Sequence, residues 1–383
     1  MNIIYISSLI PPAFLDEMLA KFGGSYVVAP NKFHHTIVEG FIGNGHKVKA
    51  ISHLPEQVKH IDYMQEDEIE YYFVKYSAKS KIKHLQIAIG VYRCIRKIIK
   101  EGFIPDALIC DILNVSVCLG ALCAGKKFNV KTVGIVTDLL GVSEHEEKSI
   151  LHRIAAKVSN SYSKSFGYYV LLTQQMNDVV NPKKRPYIIM EGICGSQTVN
   201  PSEKKETKCR RLFYAGGRPS KDGINILISA FKRLPNKDVE LHIYGNMPNQ
   251  RIGCDERDKR IYYHGVVDNN TIIREECASY LLINPRPIGE LYTLYSFPSK
   301  VMEYMMTGVP MVTTKLAGIP EEYYNYVFSF EECSEQCYFD TLSLILSLPN
   351  SILLEKGKNA QKFVLNHKNK IVQTARIIEL IKS

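Results

Sequence analysis

The residues best suited to chemistry stand in one string, Ser296-Phe297-Pro298-Ser299-Lys300-Val301-Met302-Glu303, which runs on through Tyr304 to Gly308-Val309-Pro310. Pro298 suits the first turn of a helix, because its φ is already helical and its missing N–H would have no partner there. Ser296 is available to cap that helix. A helix beginning here, with Ser299 in its first turn, presents free backbone N–H groups and the positive end of its dipole to an anion such as a diphosphate. Lys300 adds a mobile positive charge. Glu303 lies further along, where its carboxylate could accept two hydrogen bonds from a ribose diol. Gly308 then ends the helix before the next strand. A capped helix with a surface glutamate accounts for any one of these residues but not for the whole string.

Other candidates are less specific. Gly23-Gly24-Ser25 follows the first strand, and paired glycines let a backbone approach a phosphate closely; a surface turn fits equally well. Thr137-Asp138 closes a buried strand at the edge where α/β sheets bind ligands, with a helix cap as the alternative. Asn31, His34 and His35, near the next helix start, read as ordinary surface residues. The glycines of Gly40-Phe-Ile-Gly43-Asn-Gly45 end a helix instead of opening one, which argues against nicotinamide binding. There is no Gly-x-x-x-x-Gly-Lys-[Ser/Thr] loop and no Asp-x-Asp metal signature.

The elements that must position these residues alternate. Strands are expected at residues 2–7, 47–52, 70–76, 107–111, 131–137 and 168–173, with helices over 33–44 and 82–100. In the second of these, Leu85, Ala88, Tyr92, Ile95 and Ile99 form one apolar face. The segment Asn181-Pro-Lys-Lys-Arg-Pro186 interrupts the pattern, and a polar linker follows Gly192 and Gly195. A second series has strands at 211–215, ending in Gly216-Gly217, and at 239–244, 280–284 and 310–314. Helices are expected at 224–234, 298–306, 342–346, 352–365 and 371–382. Such alternation predicts α/β units, each a parallel sheet with helices on both faces.

The 383 residues suit two domains, and 48 basic against 39 acidic residues leave a net charge of +9, which favours phosphorylated or otherwise anionic partners. Lys79, Lys81, Lys83, Arg93, Arg96, Lys97 and Lys100 fall in a stretch without an acidic residue. On a helix they could meet anionic lipid or simply form a solvated face. The N-terminus reads as a strand, not a signal peptide, and no apolar run reaches the ~20 residues of a membrane span. A cytoplasmic protein is expected, either free or peripheral at the inner face of the membrane. Among ten cysteines, Cys110, Cys118, Cys123 and Cys194 sit in apolar or glycine-rich surroundings, and no Cys-x-x-Cys pair occurs, so reduced core thiols are expected.

The string Phe297-Pro-Ser-Lys-Val-Met-Glu303…Gly308-Val-Pro310 resembles the nucleotide-sugar motif of retaining family-four glycosyltransferases of the GT-B fold. Thr314-Lys-Leu-Ala-Gly-Ile-Pro320-Glu-Glu-Tyr matches a branch common in bacterial polysaccharide synthesis. Tyr214-Ala-Gly216-Gly217-Arg218-Pro-Ser-Lys221-Asp-Gly223 resembles the family's first C-domain loop, and Gly45-His46-Lys-Val48 its first helix-to-strand turn. The resemblance spans nearly the whole chain. It implies two facing Rossmann-like domains, residues 1–190 on the acceptor side and 195–365 on the nucleotide-sugar side, with a helix over 366–383 returning to the first.

It further implies sugar transfer from a nucleotide diphosphosugar to a hydroxyl of a saccharide or lipid-linked acceptor, with retention, no metal and no other cofactor, and no nucleic-acid partner. Asp138 would face the donor sugar or acceptor, and Arg218 and Lys221 the diphosphate. Gly23, Gly24, Gly217, Ser296, Pro298, Ser299, Lys300 and Glu303 would hold the donor. The family's two glutamates bracket seven residues; here the first falls on Tyr295, and Glu290 is the nearest acidic replacement. Arg218 and Lys221 also stand closer together than in the family. A sugar-nucleotide epimerase and a catalytically silent sugar-nucleotide-binding subunit are the alternatives on the same fold.

Overall fold

The structure is a computed structural model that describes residues 1–15, 17, 24–53, 61–77, 79–139, 161–195, 209–216, 223–247, 252–289 and 291–383, without the side chains of 24–29. The chain divides into two compact units, one of Met1–Ile193 with Lys370–Ser383, the other of Cys194–Asn369.

In the first unit, β1 (Asn2–Ile6), β2 (Lys47–Ser52), β3 (Tyr63–Glu66), β4 (Ile69–Phe73), β5 (Ala107–Asp111), β6 (Lys131–Val136), β7 (Tyr168–Leu171) and β8 (Tyr187–Ile189) form an eight-stranded sheet in the order β3-β4-β2-β1-β5-β6-β7-β8. All neighbours are parallel except β3 and β4. Its helices are α1 (Gly24–Gly43), α2 (Lys83–Lys100), α3 (Val115–Phe128) and the short α4 (Met176–Val180). β5 is buried along its whole length, as a strand covered on both faces must be.

The second unit holds β9 (Arg210–Ala215), β10 (Val239–Tyr244), β11 (Gly253–Cys254), β12 (Ile261–Gly265), β13 (Leu281–Asn284), β14 (Met311–Thr314) and β15 (Phe328–Phe330), in the order β11-β12-β10-β9-β13-β14-β15. Only β11 runs antiparallel to its neighbour. Around the sheet lie α5 (Ile224–Arg233), α6 (Asn269–Cys277), α7 (Leu291–Leu294), α8 (Ser299–Met306), α9 (Glu335–Ser347) and α10 (Asn350–His367). The last helix, α11 (Lys370–Lys382), returns to the first unit. There it buries Ile377, Ile378, Leu380 and Ile381 in the core under β1 and β5. Gly40 makes that approach possible, since a Cβ on it would lie 2.4 Å from the Lys370 carbonyl. Asn44 Nδ2 donates to the Ile371 carbonyl, and the Arg376 guanidinium to that of Ile189, at 2.8 and 2.9 Å.

Several local expectations change. Helix α1 begins at Gly24, not near residue 33, and runs through Pro30. Pro30 is exposed, so water can satisfy the carbonyl that proline leaves unpaired. Asn31 and His34 are buried and His35 half-buried, not on the surface. On α2 the covered face is Ile87, Ala88, Val91, Ile95 and Ile98, while Leu85 is 51% exposed. Two apolar stripes compete on this helix, and α3 selects one by packing Gly120 against Ala88 and Val91, where a Cβ would come within 2.3 and 2.8 Å. All ten cysteines are free; Cys110, Cys118 and Cys194 are buried, but Cys123 and Cys254 are exposed.

Candidate functional site

In the second unit, β9, β10 and β12 end side by side in Gly216, Gly245 and Gly265. The Gly216 amide donates to the Tyr244 carbonyl at 3.0 Å, and the Gly245 amide to that of Gly265 at 2.8 Å. Gly245 has φ +115°, and a Cβ there would lie 1.8 Å from the Gly216 oxygen. The backbones are therefore in direct contact, and only glycine fits. On the other side of β9 the chain leaving β13 meets the start of α5: Gly223, at φ +68°, would put a Cβ 1.9 Å from the Pro285 oxygen. Because β10 and β13 flank β9, this is the point where the strand order reverses, and α/β sheets bind ligands at such crevices beyond the carboxyl ends of their strands.

Helix α8 starts at this edge. Its N-cap is Pro298, not the first helical residue, and no side chain caps it. Ser296 is not the cap either: its hydroxyl donates back to the Tyr292 carbonyl at 3.0 Å, because the short helix α7 puts that carbonyl within reach. The Val301 amide bonds to the Pro298 carbonyl, and the amides of Ser299 and Lys300 make no hydrogen bond among the described residues. That leaves the open helix start that an anion favours.

Val301, Met302, Tyr304 and Met305 bury the helix's inner face. The Tyr304 hydroxyl accepts the Ala215 amide at 3.3 Å and ties α8 to the end of β9; burial raises that phenol's pKa well above the ordinary tyrosine range. Ser299 and Glu303, four residues apart and both exposed, share the outer face. Lys300 lies 5.9 Å from the Tyr304 ring centroid. Neither Lys300 nor Glu303 has an ion-pair partner among the described residues. Gly308, at φ +71°, stops the helix as expected. Gly318 presses the loop after β14 onto the turn before α8; a Cβ on it would lie 2.3 Å from the Ser296 oxygen.

Five candidate residues lie outside the described residues: Gly23, Gly217, Arg218, Lys221 and Glu290. The structure therefore brings Ser296, Pro298, Ser299, Lys300 and Glu303 together on one short segment, within the same unit as the glycine-lined strand ends.

In the first unit, Gly24 is the first residue of α1. Asp138 lies just beyond β6 with its side chain exposed, and its Oδ1 accepts the Leu139 amide at 2.8 Å. Surrounding protein still raises its pKa above the usual carboxylate value, against the lowering effect of that amide.

The residues assigned to the surface instead build the frame of this edge. His34 Nδ1 meets the Tyr5 hydroxyl at 2.7 Å and its Nε2 faces Asp111 Oδ2 at 3.3 Å. Burial, then the Asp111 charge, push the Tyr5 phenol well above its ordinary pKa. It therefore stays protonated and can donate to Nδ1, which leaves the proton on Nε2, directed at the Asp111 carboxylate. Asn31 holds both backbone groups of Ile10, at 2.7 and 3.1 Å, and His35 Nε2 meets the Ile10 carbonyl at 2.8 Å. α1 thus fixes the loop after β1.

One cation at the second unit's edge carries no signal in the motif strings. Arg286 follows β13 between Pro285 and Pro287, and its position directly after a buried strand is the feature that marks it.

Residues 209–337 match the family model described as glycosyl transferases group 1. No curated protein sequence matches the chain significantly. Among solved structures, a sucrose-phosphate synthase from Thermosynechococcus elongatus is 13% identical with a TM-score of 0.67, covering 100% of this chain and 98% of its own. A glycosyltransferase from Rickettsia africae is 14% identical, TM-score 0.63, covering 100% and 97%. The catalytic domain of starch synthase IV from Arabidopsis thaliana, bound to ADP and acarbose, is 10% identical, TM-score 0.64, covering 100% and 99%. The likeness is one of fold over the full length of both chains.

Proposed function

With a group 1 glycosyltransferase domain over residues 209–337 on a chain of the GT-B fold, we propose that this protein transfers a sugar from a nucleotide diphosphosugar to a hydroxyl of a saccharide or lipid-linked acceptor, with retention, in surface polysaccharide synthesis. The observation that carries the reading is the uncapped start of α8 beside glycine-lined strand ends, with Lys300 and Glu303 on one segment.

As the glycosidic bond breaks, negative charge grows on the departing diphosphate. Backbone amides at Ser299 and Lys300, the Lys300 ammonium, and Arg218 and Lys221, which follow β9 in sequence, supply positive potential where that charge develops. Glu303 holds the ribose, and Gly217 admits phosphate at close range. Glu290 is the nearest acidic candidate for the missing sugar contact. The decisive test is to incubate purified protein with nucleotide sugars and a hydroxyl acceptor and to read the anomeric configuration of the product by NMR. Conversion of donor without acceptor to an epimer, or tight donor binding without turnover on any acceptor, would replace this reading with one of its alternatives.

No metal takes part in this scheme, because amides and basic side chains hold the diphosphate. Turnover is therefore expected to persist in excess chelator. Its abolition there, with recovery on adding magnesium or manganese, would overturn the scheme.

The same reading assigns α2 to an anionic membrane surface. Beside its covered face it exposes Arg93, Arg96, Lys97 and Lys100, with Ile82 at 57%, Leu85 at 51% and Ile89 at 41% exposure. Basic side chains near such a surface contribute about 1 kcal/mol each. Cosedimentation with phosphatidylglycerol vesicles is expected at low salt, fading as salt screens the charges. It should weaken when Lys83, Arg93 and Lys97 become Gln. No binding at low salt would remove α2 from the membrane.

A further inference from the structure

Of the half-buried arginines described in the second unit, Arg210, Arg211 and Arg260 each face a carboxylate, Asp238, Glu275 and Asp258, at 2.9, 2.6 and 2.7 Å. Arg286 is half-buried as well, yet among the described residues it makes neither an ion pair nor a hydrogen bond. A guanidinium cannot discharge itself by losing a proton. Withdrawing it partly from water is unfavourable unless an anion accompanies it, and none of the described carboxylates does.

Its backbone is held in place. Pro285 and Pro287 fix their own φ, and a residue preceding proline is confined to extended conformations. The buried Pro285 carbonyl accepts the Tyr338 hydroxyl from α9 at 3.2 Å and is the oxygen against which Gly223 closes. Arg286 is therefore presented, on a braced loop, at the crevice where β9 and β13 part, in the unit that carries α8.

We propose that Arg286 is a donor-binding residue that takes an anionic oxygen of the nucleotide diphosphosugar. The assignment rests on the function proposed above. Its planar fork suits bidentate capture of a phosphate or a carboxylate. The oxygen thus belongs either to the diphosphate or to an acidic sugar.

Calorimetric titration tests this with uridine, adenosine and guanosine, their diphosphates, and the glucose and glucuronate conjugates of the tightest-binding nucleotide. In Arg286→Gln, a fall of at least tenfold in diphosphate affinity with nucleoside affinity unchanged assigns Arg286 to the diphosphate. An unchanged diphosphate affinity with a tenfold fall confined to the glucuronate conjugate assigns it to the sugar carboxylate. Either result supports the proposal. Arg286→Lys, which keeps the charge but loses the fork, should fall between wild type and Arg286→Gln, and it serves as the readout if the Gln variant does not fold. A well-folded Arg286→Gln protein that binds every probe like wild type overturns the assignment and leaves the transferase reading intact. Wild type that binds none of the three diphosphates overturns both.

Discussion

Glu303→Gln is expected to lower donor affinity at least tenfold while the fold stays intact. The carboxylate is exposed on the outer face of α8, four residues from Ser299 and without a partner among the described residues. Nothing in the core depends on it. If it accepts both hydroxyls of a ribose, the amide keeps the shape but loses the charge assistance. Hydrogen bonds to charged groups contribute roughly 1.5–3 kcal/mol each, so the loss of one such increment already exceeds a factor of ten. Titration of nucleotide and nucleotide sugar into the variant reads the effect directly. Glu290→Gln is the companion. It should matter only if that residue has taken over the missing sugar contact, and then more for the nucleotide sugar than for the free nucleotide. Donor binding that survives unchanged in a well-folded Glu303→Gln protein would place the site elsewhere.

Gly245→Ala is expected to cost roughly 2–4 kcal/mol of stability, since a strained backbone alone costs about 1–3 kcal/mol. At φ +115° a side chain is disfavoured whatever the surroundings, and here the added methyl would sit 1.8 Å from the Gly216 oxygen. The clash is with backbone, so no rotamer change relieves it. Either β10 or β9 must shift at its carboxyl end, and Gly216 comes just before Arg218 and Lys221 in sequence. Nucleotide binding should therefore fall together with the urea midpoint. Ala at Gly253, where no atom of the described residues lies within 4 Å of the added Cβ, isolates the clash, because φ +121° strains that position too. Equal urea midpoints for the two variants would show that the contact with Gly216 carries no weight.

Much of this molecule is legible in its sequence, because many of its signals are local. Alternating apolar runs and amphipathic stretches specify two parallel α/β sheets, since a strand buried on both faces needs apolar residues throughout and a helix needs a stripe. The segment 296–308 carries its own start and stop: proline suits the beginning of a helix, and Gly308 adopts a positive φ at little cost. What the tertiary structure decides is which of several locally acceptable options is used. Ser296 could cap α8 in isolation, but α7 brings the Tyr292 carbonyl to its hydroxyl first. Leu85 and Ile87 both lie on apolar stripes of α2, and the choice falls to Gly120 of α3. His34 is polar and looks external, yet it becomes internal because Tyr5 and Asp111, far apart in sequence, supply partners for both of its nitrogens. Arg286 lies in no recognisable string; it is singled out because no carboxylate among the described residues meets it, and such pairings depend on contacts between distant parts of the chain that no local pattern encodes.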